Sequence, residues 1–142
     1  MEKTLGARQP DEDWRLARAV HAELLQTRVP RANVLLVGSD GPIQNILELL
    51  LRDCGESVPT WQPGDALVLP SVEQARMMIL RDVGSLSDVD QRRLLDWLDQ
   101  AVGRTQVVST APEPLLSRVQ AGALLSALYY RLNILYVEVP GH

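Results

Sequence analysis

An α/β domain built on a mostly parallel sheet is the fold class that this sequence predicts, and three observations predict it. Short aliphatic runs, of which Val34-Leu-Leu-Val37 is the clearest, are apolar at every position, the pattern of strands covered on both faces. Other segments carry apolar residues at helical spacing, as in Ile43, Ile46, Leu47, Leu50 and Leu51. The two kinds of segment alternate along the chain, and strands joined through helical crossovers lie parallel.

The elements follow in order. Residues 1–12 are polar and Pro-containing and are expected to form a flexible N-terminal segment, leaving one domain over 13–142. Leu16, Ala17, Val20, Ala22, Leu24 and Leu25 suit an amphipathic helix over about 13–27, ended by Pro30. Asn33 to Val37 is the first strand, and Gly38-Ser39-Asp40-Gly41-Pro42 turns the chain into the helix begun by Ile43. Pro59, Pro63, Gly64 and Pro70 break up 55–76, so that either 58–62 or 66–69 could be the second strand. Met77 to Leu80 is the next buried strand. Ser87 with Asp90 three residues on resembles a capping box, and the helix it opens carries Leu94, Leu95, Leu98, Ala101 and Val102 before closing at Gly103. Gln106 to Ser109 is a strand. Pro114 suits the first turn of a helix with Leu115, Leu116 and Val119, a second short helix covers 123–131, and Ile134 to Val139 alternates as a last strand, making five.

Composition narrows the functions open to such a domain. The 142 residues are 46% hydrophobic, with 14 Lys and Arg against 18 Asp and Glu. A formal net charge of -4 offers no domain-wide cationic face, so direct nucleic-acid binding is not expected. No apolar run approaches the roughly 18 residues of a membrane span, and the N-terminus lacks the apolar segment of a signal peptide. Cys54 is the single cysteine, which excludes an intramolecular disulfide and a Cys-cluster zinc site and fits a reducing, cytoplasmic setting. A catalytic thiol would have only His21 and His142 to draw on, and no Ser/His/Asp spacing suggests a triad. No metal site is expected. Phe is absent, so the core must be aliphatic, helped by Trp14, Trp61, Trp97 and three Tyr.

The loop 38–45 lies at a strand end and a helix start, where a phosphate-binding loop would lie. Its company is M-I-L-R-D-V-G-S-L (78–86), Q-R-R-L-L-D-W-L (91–98), T-Q-V-V-S-T-A (105–111) and L-Y-Y-R-L-N-I-L (128–135), in that order. Together these strings resemble the AAA+ central domain of the sigma-54-dependent transcription activators, the bacterial enhancer-binding proteins, over about Trp14 to Pro140. The resemblance implies a P-loop NTPase-like (AAA+) three-layer sandwich with a mostly parallel sheet of five strands, in which the helical lid subdomain is absent.

It also implies where an ATPase would keep its working residues, and this sequence departs from the pattern at each. The family's phosphate loop reads G-E-S-G-T-G-K-[DE]; here Gly38, Ser39, Asp40, Gly41, Pro42, Ile43, Gln44 and Asn45 stand in its place. Gly38 and Gly41 are kept, but the last Gly is Ile43 and the phosphate-binding Lys is Gln44. Pro42 removes a backbone donor, and Asp40 puts an anion where phosphates would approach. The Asp-Glu pair that organises Mg²⁺ and the attacking water falls on Arg81 and Asp82. The sensor Asn falls on Pro112, and the Arg that reaches a neighbouring subunit's nucleotide falls on Leu125. Arg131 is a retained family Arg, for which a surface or helix-capping role is expected. A salt bridge from Arg81 to Asp40 would neutralise the pocket from within.

By the same resemblance, the loop that engages the sigma factor, G-A-F-T-G-A, has no counterpart in the 25 residues between Asp53 and Ile79, so contact with sigma-54 is not expected. The sequence stops at Val139-Pro-Gly-His142, where the family's lid would begin, and shows neither a receiver nor a helix-turn-helix. The expectation is a non-catalytic interaction module with no cofactor, whose partner is a protein: a related AAA+ activator or a second copy. Trp61, on a Pro/Gly-rich loop, and the apolar helix over 121–132 are its candidate contacts, with a core-covering role the other reading of Trp61. The alternatives are a weak ATP-binding nucleotide sensor or atypical NTPase, in which ATP and Mg²⁺ would bind with Arg81 as the replacement cation, and, behind it, an enzyme of another class.

Overall fold

The chain's arrangement is given by a computed structural model, which describes residues 32–54 and 57–140 together with Arg15, Arg18, Ala19 and Ala22. Those four isolated positions are helical and exposed; the rest of the helix expected over 13–27, and the segment 1–12, lie outside the described residues. Five strands, β1 (Val34–Val37), β2 (Thr60–Trp61), β3 (Met77–Leu80), β4 (Gln106–Ala111) and β5 (Leu135–Glu138), form a sheet in the order β2-β3-β4-β1-β5. Every pairing is parallel. β1 is held on both sides, with Val34 opposite Val108 and Leu135, and Val37 opposite Ala111 and Glu138.

Because side chains alternate across a strand, the fully apolar β1 and β3, and β4 through Val107 and Val108, feed two cores. One face presents Leu35, Met78, Leu80 and Val107 to helices α2 (Asp88–Ala101) and α4 (Ser126–Leu132), which contribute Leu94, Trp97, Leu98, Leu128 and Leu132. The other presents Val34, Leu36, Ile79 and Val108 to helix α1 (Asp40–Cys54), through Ile43, Ile46, Leu47 and Leu50. A single-turn 3-10 segment (Val83–Ser85) and the short helix α3 (Leu116–Gln120) complete the described elements. The result is the helix, sheet, helix sandwich that the alternation predicts.

Differences from the expectation are local. The second strand is the 58–62 option, reduced to Thr60–Trp61; Leu67 is buried beside it but 66–69 forms no strand. Ser87 does cap α2, its hydroxyl accepting from the Asp90 amide at 3.2 Å. The stripe of that helix differs, however. Gln91 and Trp97 are buried with Leu94, Leu98 and Ala101, whereas Val102 is 71% exposed past the helix end, just before Gly103 at φ 76°. On α1, Leu51 is 36% exposed because the sheet beneath covers only four of the five apolar positions. The helix expected over 121–132 begins at Ser126 and turns Leu128, Tyr129 and Leu132 inward, so its apolar face is core rather than contact surface.

One buried group has no partner. The Ser109 hydroxyl, in the middle of β4, makes no hydrogen bond among the described residues although the residue is fully buried. An unpaired buried hydroxyl costs stability, so Ser109→Ala should be neutral or raise stability by up to about 1 kcal/mol, read from denaturant midpoints at unchanged slope.

Candidate functional site

A cleft of about 340 Å³ opens at the carboxyl ends of β1, β3 and β4. Parallel sheets place ligand crevices at this end, where crossovers depart to opposite faces. Here α1 leaves β1 toward one face, and the chain after β3 leaves toward the other. Gly38, Asp40 and Ile43 line it from the β1 exit, Arg81 and Asp82 from the β3 exit, and Thr110, Ala111 and Pro112 from the β4 exit. Gln62 and Pro63, which follow β2, close the remaining wall.

The β1 exit is built tightly. Gly38 donates to the Ala111 carbonyl at 3.0 Å, and a side chain there would meet the Val139 carbonyl oxygen at 2.7 Å. This glycine is therefore required by the close approach of the chain leaving β5. Gly41 is different: a Cβ there meets nothing within 4 Å. The Ser39 carbonyl accepts the amide of Ile43 at 3.3 Å, opening α1 with exposed Asp40 and Gly41 and buried Pro42 in its first turn. Pro42 leaves that turn one amide donor short. Asn45 is half-buried on the same helix.

Across the cleft, the Arg81 guanidinium donates to the Gln44 side-chain carbonyl, Nη1 to Oε1, at 2.5 Å. The Gln44 amide nitrogen in turn donates to Glu48, one turn along α1, at 3.3 Å. The bond expected from Arg81 to Asp40 is not made: among the described residues no ion pair joins them, and the guanidinium reaches past the loop into the second turn of α1. Asp82 takes the left-handed conformation, φ 50° and ψ 57°, which a residue with a side chain adopts at some cost and Asp tolerates better than most. Local bonds hold it there. Its amide donates to the Thr110 hydroxyl at 3.0 Å, and its carboxylate accepts from the Ser85 hydroxyl at 2.9 Å. Both Asp82 and Arg81 thus have their side chains engaged inside the chain.

The structure brings Gly38, Asp40, Ile43, Arg81, Asp82 and Pro112 to one cleft, with Gln44 joined through Arg81. Three other candidates lie elsewhere. Leu125 precedes α4, its amide bonded to the Gln91 side chain at 2.8 Å. Arg131 pairs with Asp99 of α2 at 2.7 Å, the surface role expected of it. Trp61 is no exposed contact: it is 5% exposed in the core under α2, its indole N–H donating to the Asp65 carbonyl at 2.9 Å. The Pro63-Gly64 turn, with Gly64 at φ 100°, folds the chain back over the ring. Among the described residues no group of three or more His, Cys, Asp or Glu side chains could hold a metal ion, and no helix is long and apolar enough to cross a membrane.

Two residues missed in the sequence matter to this architecture. Thr110 ties β4 to the end of β3. Gln91, 2% exposed, uses its whole amide, donating to the carbonyls of Leu86 and Ala123 at 3.0 Å each and accepting from Leu125. Its only sequence signal was its place three residues before Leu94, on the buried stripe.

Residues 15–141 match the family described as the sigma-54 interaction domain. The chain belongs to this family. Solved structures agree on the fold. NtrX from Brucella abortus in complex with ADP is 15% identical, with a TM-score of 0.68 over 88% of this chain and 36% of its own. The same protein in complex with ATP gives 0.64 at 16% identity, covering 99% of this chain and 39% of its own. The P-loop NTPase domain of a sigma-54 activator from E. coli gives 0.59 at 14% identity, covering 93% of this chain and 97% of its own. The chain thus spans little more than a third of NtrX. A search of curated proteins found no match.

Proposed function

We propose that this domain is a non-catalytic, AAA+-like protein-interaction module with a regulatory role in transcription, acting in the cytoplasm. The observation that carries the reading is the bond between Arg81 and Gln44. By family resemblance these two positions would hold the metal-organising acid and the phosphate-binding lysine. Here a cation stands in place of the anion and a neutral amide in place of the cation, and the Gln44 carbonyl accepts from the Arg81 guanidinium.

The donor set does not fit Mg-nucleotide. Asp40 and Asp82 set two carboxylates against the single guanidinium in the cleft lining, so the site repels phosphate more than it attracts it. A magnesium ion would need the oxygen ligand whose place Arg81 occupies. Pro42 and Ile43 deprive the loop of backbone amides free to surround an anion. The partner is a protein, a related AAA+ activator or a second copy, with no part for nucleic acid, membrane or sigma-54.

One rival has support: NtrX, of the same fold, is known with ADP and with ATP, and Arg81 is a cation already in the cleft. That reading makes the domain a weak nucleotide sensor. Calorimetric titration with Mg-ATP and Mg-ADP separates the two. No heat of binding is expected at millimolar nucleotide; saturable binding that Arg81→Ala abolishes would replace the module reading with the sensor.

A further inference from the structure

We infer that the Arg81–Gln44 bond is a built-in clasp that holds the two sides of the cleft in one conformation without a ligand. In the sheet, β4 separates β1 from β3, so no ladder bonds join the chain entering α1 to the chain leaving β3. The clasp spans that gap, between residues 37 apart in sequence. Each end is fixed to its own side. The Gln44 amide is oriented by its bond to Glu48, which leaves its carbonyl to accept from Arg81. The Arg81 amide donates to the Trp61 carbonyl at 2.8 Å, and the next residue, Asp82, is pinned by Thr110 and Ser85. Both partners are half-buried, where a charge-assisted bond is stronger than in open water.

Separating α1 from the β3 exit therefore requires breaking this bond. A cleft that closes around a ligand borrows its rigidity from the ligand; this one carries its own tie. The inference rests on the non-catalytic reading in one respect, that nothing else is needed to bring the two sides together. Its consequence for that reading is regulatory: the partner meets a surface with one resting state, present at all times.

Amide hydrogen exchange on the whole protein, without nucleotide, tests the clasp. Arg81→Ala and Gln44→Ala should each raise exchange about tenfold in both 38–46 and 81–86, and the double variant should exchange no faster than the faster single. Gln44→Glu, which keeps an acceptor for the guanidinium, should retain protection. The clasp is overturned if each single variant loosens only its own segment, if the double multiplies the two effects, or if amides of 106–111 accelerate by the same factor, which would mean global unfolding. A parallel sample with Mg-ATP keeps the two claims apart. Protection gained by the unmodified protein there would remove the non-catalytic reading, while the clasp would stand or fall on the variants alone.

Discussion

Gln91→Leu should destabilise the domain by about 3 kcal/mol and lower its melting temperature by about 10 °C, although leucine matches glutamine in size and suits the helix better. The side chain sits at the start of α2 with three bonds to three backbone groups: the carbonyls of Leu86 and Ala123 and the amide of Leu125. Leucine leaves the site filled and strips all three of their partner. The loop before α4 has no other tie of this kind to α2 among the described residues, so it should also become the first place where proteolysis cuts. Gln91→Glu separates shape from hydrogen bonding. A carboxylate can accept from Leu125 but cannot donate to two carbonyls, so its loss should be comparable at neutral pH and smaller in acid, where the protonated form regains one donor. Urea unfolding of the three proteins at pH 7 and pH 4.5 checks the order. A leucine variant as stable as the parent would mean that the three backbone groups find water instead.

The two glycines of the loop should answer mutation very differently. Gly38→Ala should cost about 2 kcal/mol, because the new methyl meets the Val139 carbonyl oxygen at 2.7 Å and the Val139 Cβ at 3.0 Å. Neither neighbour can rotate away. The Val139 amide is bonded to the Val37 carbonyl at 2.7 Å, so relief means parting the end of β5 from β1. Gly41→Ala meets no atom beyond its chain neighbours within 4 Å, and the gain from restricting the unfolded chain is offset by the crowding of a helical Cβ against the ring of Pro42, so stability should change by less than about 0.5 kcal/mol. Thermal melts of the two variants beside the parent decide the matter. A harmless Gly38→Ala would show that the β5 end yields easily. A Gly41→Ala that is stable but loses nucleotide or partner binding would restore a ligand role to the loop.

β1 and β3 were the most legible strands because they are apolar throughout: Val34–Val37 and Met77–Leu80 have no polar position to blur the pattern. The least legible was β2, whose two residues follow a proline and are too few to show a period. Trp61 could not be placed from its neighbours, since a Pro/Gly-rich context marks a turn without saying whether an adjacent aromatic points in or out. Its burial follows from pairing with Leu80 of β3, a long-range fact. Among the cleft residues, grouping was legible from family order, but bonding was not. Charge alone pairs Arg81 with Asp40; geometry pairs it with an amide a turn further on, where the helix carries Gln44 over the β3 exit. Val102 was drawn into the stripe of α2 because spacing does not reveal that the helix stops at Ala101.

The place of β1 in the sheet also sets a timetable. It is the earliest described strand in the chain, yet both of its partners come late, Val34 lying opposite Val108 on one side and Leu135 on the other. Such pairing closes large loops before it gains any contact, so the folding rate is governed by a search across most of the domain. During synthesis the Val34–Val37 segment leaves the ribosome with no strand to pair until β4 has followed it, and its second edge stays open until β5 has. Its four consecutive aliphatic residues are then the stretch most in need of a chaperone's cover.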